Sequence, residues 1–168
     1  MTTLTTESRS SAARRRARVL ALQVLYEVEG AKQHSVKAAY ESRLEEDAVS
    51  PQVETFARKL ISGVLDHQAQ IDAIISRFAP TWPLTQMAMV DRNILRIAIY
   101  EIMMSGQTPP KVAINEAVEL GKVFGSDSSP KFVNGVLGSV MESYKPDDET
   151  QSLVQWSATA DETFMEVS

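Results

Sequence analysis

Apolar residues recur at three- and four-residue spacing along most of the chain, and no stretch keeps the alternation of a half-buried strand for long. Ala17, Leu20, Ala21, Val24, Leu25 and Val28 form the first such stripe and predict a helix over about 12–29, stopped by Gly30. Ser35 is placed to cap a second helix, about 36–47, with Val36, Ala39, Tyr40 and Leu44 on its apolar side. Ser50-Pro51 opens a third, because the first turn of a helix has no use for the N–H that proline lacks. Phe56, Leu60, Ile61, Val64 and Leu65 are its stripe, and Ile71, Ile74, Ile75 and Phe78 carry a fourth. Whether a break near 66–70 separates the third helix from the fourth stays open; Pro80-Thr81-Trp82-Pro83 ends the fourth.

The next segment has a different pattern. Ile94, Leu95, Ile97, Ala98, Ile99, Ile102 and Met103 are apolar nearly all the way round, so a helix over about 88–104 must be covered on most sides and is expected at the centre. Gly106 ends it. Pro109-Pro110 starts a helix running to about 124, stopped by Gly125, and Ser128-Ser129-Pro130 caps a last one to about 143 with Val133, Val136, Leu137, Val140 and Tyr144 inward. The expected fold is therefore all-α, about seven helices in two small packed bundles. The expected domain covers 12–144, with subdomains of about 12–79 and 84–144. A Ser/Thr-rich arm (1–11) and an acidic tail (145–168) flank it, both too poor in apolar residues to be expected to order by themselves.

Composition removes several classes of function. The 168 residues hold no cysteine, which excludes disulfides, thiolate nucleophiles and Cys-ligated zinc. His34 and His67 have no flanking ligand pattern, so no metal is expected. There is no glycine-rich phosphate loop, no HExxH and no Gly-x-Ser-x-Gly, so neither catalysis nor a cofactor is expected. No apolar run approaches a membrane span, and the polar, then basic N-terminus does not read as a signal peptide, so the cytoplasm is the expected location.

The net charge of −5 conceals segregation. Residues 1–18 set one glutamate against five arginines (+4), whereas 145–168 set one lysine against six acids (−5). Four of those arginines, Arg14, Arg15, Arg16 and Arg18, fall at the start of the first expected helix. Guanidinium groups give planar paired donors suited to phosphate, and a helix N-terminus is the wrong end for cations unless a polyanion binds there. A nucleic-acid contact and a solvated basic end both fit. At the start of the last helix, Lys131 and free backbone N–H groups suit phosphate. Phe132 lies about 100° off the buried stripe, where it is either a base-stacking ring or a core-edge residue. Asp91, Arg92 and Arg96 sit on the polar margin of the central helix, as structural ion pairs or as a partner face.

Together, ARRRAR at 13–18 with Gln23, Leu25 and Tyr26, DRNILRIAIYE at 91–101, PPKVAINEAVELGKVFG at 109–125 and SPKFVNGVLGSV at 129–140 resemble the transcription antitermination factor NusB family, over about residues 12–143. The resemblance implies two small helical bundles. It also implies binding of boxA, a short single-stranded RNA element of rRNA leader transcripts, jointly with NusE, a ribosomal protein of the small subunit. That complex acts on RNA polymerase so that it ignores terminators. Position by position, the resemblance implies RNA contacts for Arg14, Arg15, Arg16, Arg18, Tyr26, Lys131, Phe132 and Asn134, and a NusE-facing role for Asp91, Arg92 and Arg96. The chain departs from the family's better-known pattern in its 125–129 loop, which carries one acid, in its longer arm and in its acidic tail. The opposite charges of arm and tail lead us to expect that the tail competes with RNA for the arginines. Two rival readings remain: a helical interaction or homodimerisation module without RNA binding, and the leading domain of an rRNA methyltransferase. The second lacks both the cysteine and the nucleotide-binding domain it would need.

Overall fold

The computed structural model describes residues 2–31 and 35–143. Tyr144 of the expected stripe and the acidic tail lie outside the described residues. Seven α-helices are present among them: α1 (Thr2–Gly30), α2 (Val36–Glu46), α3 (Pro51–Asp66), α4 (Gln68–Phe78), α5 (Met89–Tyr100), α6 (Pro110–Phe124) and α7 (Ser129–Ser143). A short 3-10 turn, Leu84–Gln86, leads into α5, and a π turn, Glu101–Ser105, follows it.

The caps act where the sequence put them. Ser35 Oγ accepts from Ala38 N at 3.0 Å and Ser50 Oγ from Val53 N at 3.3 Å. The open question at 66–70 is resolved at His67, which closes α3 and opens α4. Gly106 ends the π turn with φ +63°, a left-handed conformation that side chains disfavour. The π turn itself was not expected, since three- and four-residue spacing does not report a single widened turn. α1 also begins at Thr2, where an unordered arm was expected up to residue 11. Extending a nucleated helix needs little per residue, and no glycine or proline interrupts the chain before Gly30.

α5 is the centre of the packing. It lies against α1, α3 and α4 and also against α6 and α7, and every residue from Asn93 to Tyr100 is buried. α1 packs chiefly on α3, and α6 chiefly on α7. One continuous apolar core runs through both halves, from Leu20 and Val24 through Ile61 and Ile97 to Val133 and Leu137. α3 approaches α5 closely because position 63 is glycine: a Cβ there would fall inside the Tyr100 ring.

Candidate nucleic-acid interface

The four arginines at positions 14–18 of α1 differ in their surroundings. The Arg14 guanidinium stands over the Phe56 ring of α3, 5.2 Å from its centre. Arg15 projects outward and makes a two-point pair with Glu116 of α6, at 2.9 and 3.0 Å. Hydrogen bonding to Glu116 raises the Arg15 pKa further, so it stays charged throughout. Arg16 donates to the exposed carboxylate of Asp47 at 2.6 Å.

Arg18 is the exception to the sequence reading. It is 3% exposed and donates twice to Glu101, at 2.9 and 2.7 Å; Glu101 is itself 1% exposed and also accepts from the Thr108 hydroxyl at 2.9 Å. Expected among the RNA contacts, Arg18 is instead an internal residue locking α1 to the end of α5. The helical wheel did stack Arg14 and Arg18, and both indeed reach Phe56. It could not show that the second half of the chain closes over the more distal of the two.

Tyr26 is 46% exposed. It lies about three turns beyond Arg15 on the same face of α1, since eleven steps of about 100° return nearly to the starting direction.

The second region is built on the start of α7. Ser129 is buried, and its Oγ accepts from Ser126 N at 2.9 Å, which fixes the loop entering the helix. Lys131 and Asn134 are exposed, while Phe132 is half-buried with part of its ring on the core. Lys131 and Phe132 line a cavity of about 460 Å³ together with Trp82, Met87, Asp91 and Ser128. Trp82 is 55% exposed. It was read only as part of the stop after α4; a large aromatic in a Pro-flanked turn was the available signal.

Asp91, Arg92 and Arg96, expected on a partner face, separate in the structure. Arg96 is buried, with a two-point pair to Asp72 of α4 at 2.8 and 3.0 Å and a bond to Glu29 of α1 at 3.0 Å. Arg92 pairs with Glu29 and donates to the Leu84 carbonyl at 2.6 Å. Asn93 donates to the same Glu29 at 2.7 Å. These groups tie α1, α4 and the 3-10 turn to α5, so the two arginines have internal partners, and their expected outward role is corrected for Arg96 by its burial. Asp91 alone of the three opens into the cavity.

α6 touches both regions, at Glu116 and, through Gly121, at Pro130. Arg15 meets that helix at Glu116, and Phe124 at its end lies about 12 Å further on at 1.5 Å per residue. The carboxylates on the way are neutralised: Glu116 by Arg15, and Glu119 by Lys122 at 2.9 Å. Among the described residues no helix is long and apolar enough to cross a membrane, and no acidic or histidine cluster could hold a metal ion.

The profile of the NusB family matches residues 15–142. A transcription antitermination protein NusB from Roseiflexus sp. (strain RS-1) is 48% identical over 134 residues, 79% of this chain and 94% of that protein. The solved T. maritima NusB superposes with a TM-score of 0.71 at 33% identity, over 82% of this chain and 96% of that one. A structure of antitermination factors NusB and NusE in complex with dsRNA aligns with a TM-score of 0.72 at 26% identity, over 79% and 98%.

Proposed function

The chain belongs to the NusB family, and from that premise we propose that it is an RNA-binding antitermination factor that holds boxA-type single-stranded RNA jointly with NusE. In this role it promotes rRNA transcription by helping RNA polymerase pass terminators. The observation that carries the reading is that α6 meets Arg15 at Glu116 and packs by Gly121 against Pro130, beside Lys131 and Phe132, with Glu116 and Glu119 of that helix already ion-paired. A strand following α6 from Arg15 to Lys131 meets no unpaired acid on that helix.

Two contributions act together. Arg15, Arg16 and Lys131 hold phosphates, which gives affinity for any sequence. Phe132, Tyr26 and Asn134 supply stacking and hydrogen bonds to unpaired bases, which give preference. The match of a relative solved with NusE and RNA supports the joint site.

The test is a titration of boxA RNA and a scrambled strand, with and without NusE, at two salt concentrations. Each phosphate contact contributes about 0.7 to the slope of log K against log salt. Arg15→Ala should flatten that slope and weaken both RNAs alike, whereas Phe132→Ala should chiefly reduce the preference for boxA. If neither RNA binds even beside NusE, the reading is wrong.

One observation favours a second reading, an interaction module that does not bind RNA. Val112 and Val123 share a face of α6, both are exposed, and Val123 is 71% exposed. A homodimer burying that face, with no RNA affinity in the same titration, would establish it.

A further inference from the structure

The cavity at the start of α7 contains a carboxylate that has no partner among the described residues. Asp91 is 8% exposed, and its Oδ1 is buried without a hydrogen bond. No hydrogen bond or ion pair from the described residues reaches either of its oxygens. Asp91 occupies the first turn of α5, where the helix dipole favours a negative charge. That accounts for its charge at this position but not for the missing donors, since a buried carboxylate normally finds them.

The surroundings define what could supply the donors. Trp82 and Phe132 offer two aromatic faces and Met87 an apolar wall. Lys131 stands on the cavity wall, where it repels a cation and attracts an anion. A ligand that suits all of these has a flat aromatic body, two adjacent N–H donors and a negatively charged tether. Guanine in a nucleic-acid strand has that combination: ring N1–H and the exocyclic amine lie side by side, and a phosphate follows. Adenine and cytosine offer one exocyclic amine beside an acceptor, and the acceptor would face the carboxylate.

We propose that this cavity is a guanine-reading subsite, in which the base lies against Trp82 and Phe132, its Watson–Crick edge donates to the Asp91 carboxylate, and its phosphate lies near Lys131. The proposal rests on the RNA-binding reading above and deepens it, since Lys131 and Phe132 belong to both. It also moves Asp91 from the partner face, where the family resemblance set it, to the RNA face.

The test uses the full chain and U-rich single strands of roughly ten nucleotides that differ at one position: guanosine, inosine or adenosine. Fluorescence anisotropy reads the affinity, with and without NusE. The guanosine strand should bind about 5- to 150-fold tighter than the adenosine strand, with inosine, which lacks the exocyclic amine, between them. Asp91→Asn should abolish that order: the guanosine strand weakens, while the adenosine strand binds as well or tighter, because an amide offers adenine the donor and acceptor that a carboxylate lacks. Trp82→Ala, at an exposed position, should weaken all three strands. Strands that bind without preference for guanosine, or a preference that survives Asp91→Asn, overturn the subsite and leave RNA binding intact. If Asp91→Asn weakens NusE binding but not base preference, the cavity receives a cationic protein side chain and the proposal falls. If no strand binds, the functional reading fails and the subsite with it.

Discussion

Arg18→Met removes the guanidinium, keeps most of the aliphatic stem, and leaves the Glu101 carboxyl in the interior with only the Thr108 hydroxyl to meet it among the described residues. Both partners of the lost pair are almost fully buried, and two charge-assisted bonds of 2.9 and 2.7 Å disappear together. Removing one member of such a pair costs about 3–5 kcal/mol, most of it from the stranded charge. In a chain of this length each kcal/mol lowers Tm by roughly 2–4 °C, so the expected fall is about 6–20 °C. Thermal unfolding followed by far-UV circular dichroism measures it, with urea melts to check that the m-value is unchanged. Arg18→Met/Glu101→Gln should recover most of the loss, because the amide needs no counter-charge and still accepts from Thr108. RNA affinity, measured well below both transitions, should stay near that of the unaltered chain. A variant that melts at the original temperature but loses tenfold or more in RNA affinity would refute the structural role and return Arg18 to the interface.

Glu116→Gln should release Arg15 for phosphate. The pair is largely solvent-exposed on the arginine side and worth about 0.2–1 kcal/mol, so RNA binding should tighten by up to about fivefold at low salt; weaker binding in the same anisotropy titration would count against it. Gly63→Ala drives a methyl into the Tyr100 ring and should destabilise by about 1–3 kcal/mol, visible as a lower urea midpoint, with partial rescue by Tyr100→Leu. Tyr40 is pushed up to about 12, first by burial and then by the charge of Glu54, to which its hydroxyl donates at 3.3 Å. The folded state therefore holds this proton more tightly than the unfolded chain, whose tyrosines titrate near 10. The resulting stability is complete below pH of about 10 and is lost as pH rises towards about 12; Tyr40→Phe should remove that alkaline decline, and its persistence in the variant would show that another group causes it. Removing residues 146–168 should tighten RNA binding at low salt if the acidic tail competes for the arginines, and an unchanged affinity would dismiss the competition.

Most of the fold is legible in the sequence because the signals are local. Ser35, Ser50, Pro51 and Pro110 set helix starts through capping and proline geometry, and the all-round apolar pattern of residues 94–103 requires a covered helix. What is not legible depends on a neighbour distant in the chain. The π turn at Glu101–Ser105 leaves no spacing signature. Nothing near position 63 announces that its glycine makes room for Tyr100.

The site divides along the same line. Runs of charge identify residues that belong on a polar margin but not whether another helix covers that margin. Arg15 and Arg18 stand three positions apart in one basic run, yet Glu116 meets the first in solvent while Glu101 encloses the second. Arg92 and Arg96 read as a candidate docking face and are held by Glu29 and Asp72 from other helices. The same logic in reverse exposes Asp91. Its neighbours one and five positions on find partners across the fold, whereas Asp91 is left facing a cavity beside an aromatic ring that the sequence marks only as a helix stop. Position in a motif therefore locates a polar margin to within a helix turn. Which side chains in it remain available to a ligand is decided by the pairing that the tertiary fold completes and by what it leaves incomplete, as at Asp91 Oδ1.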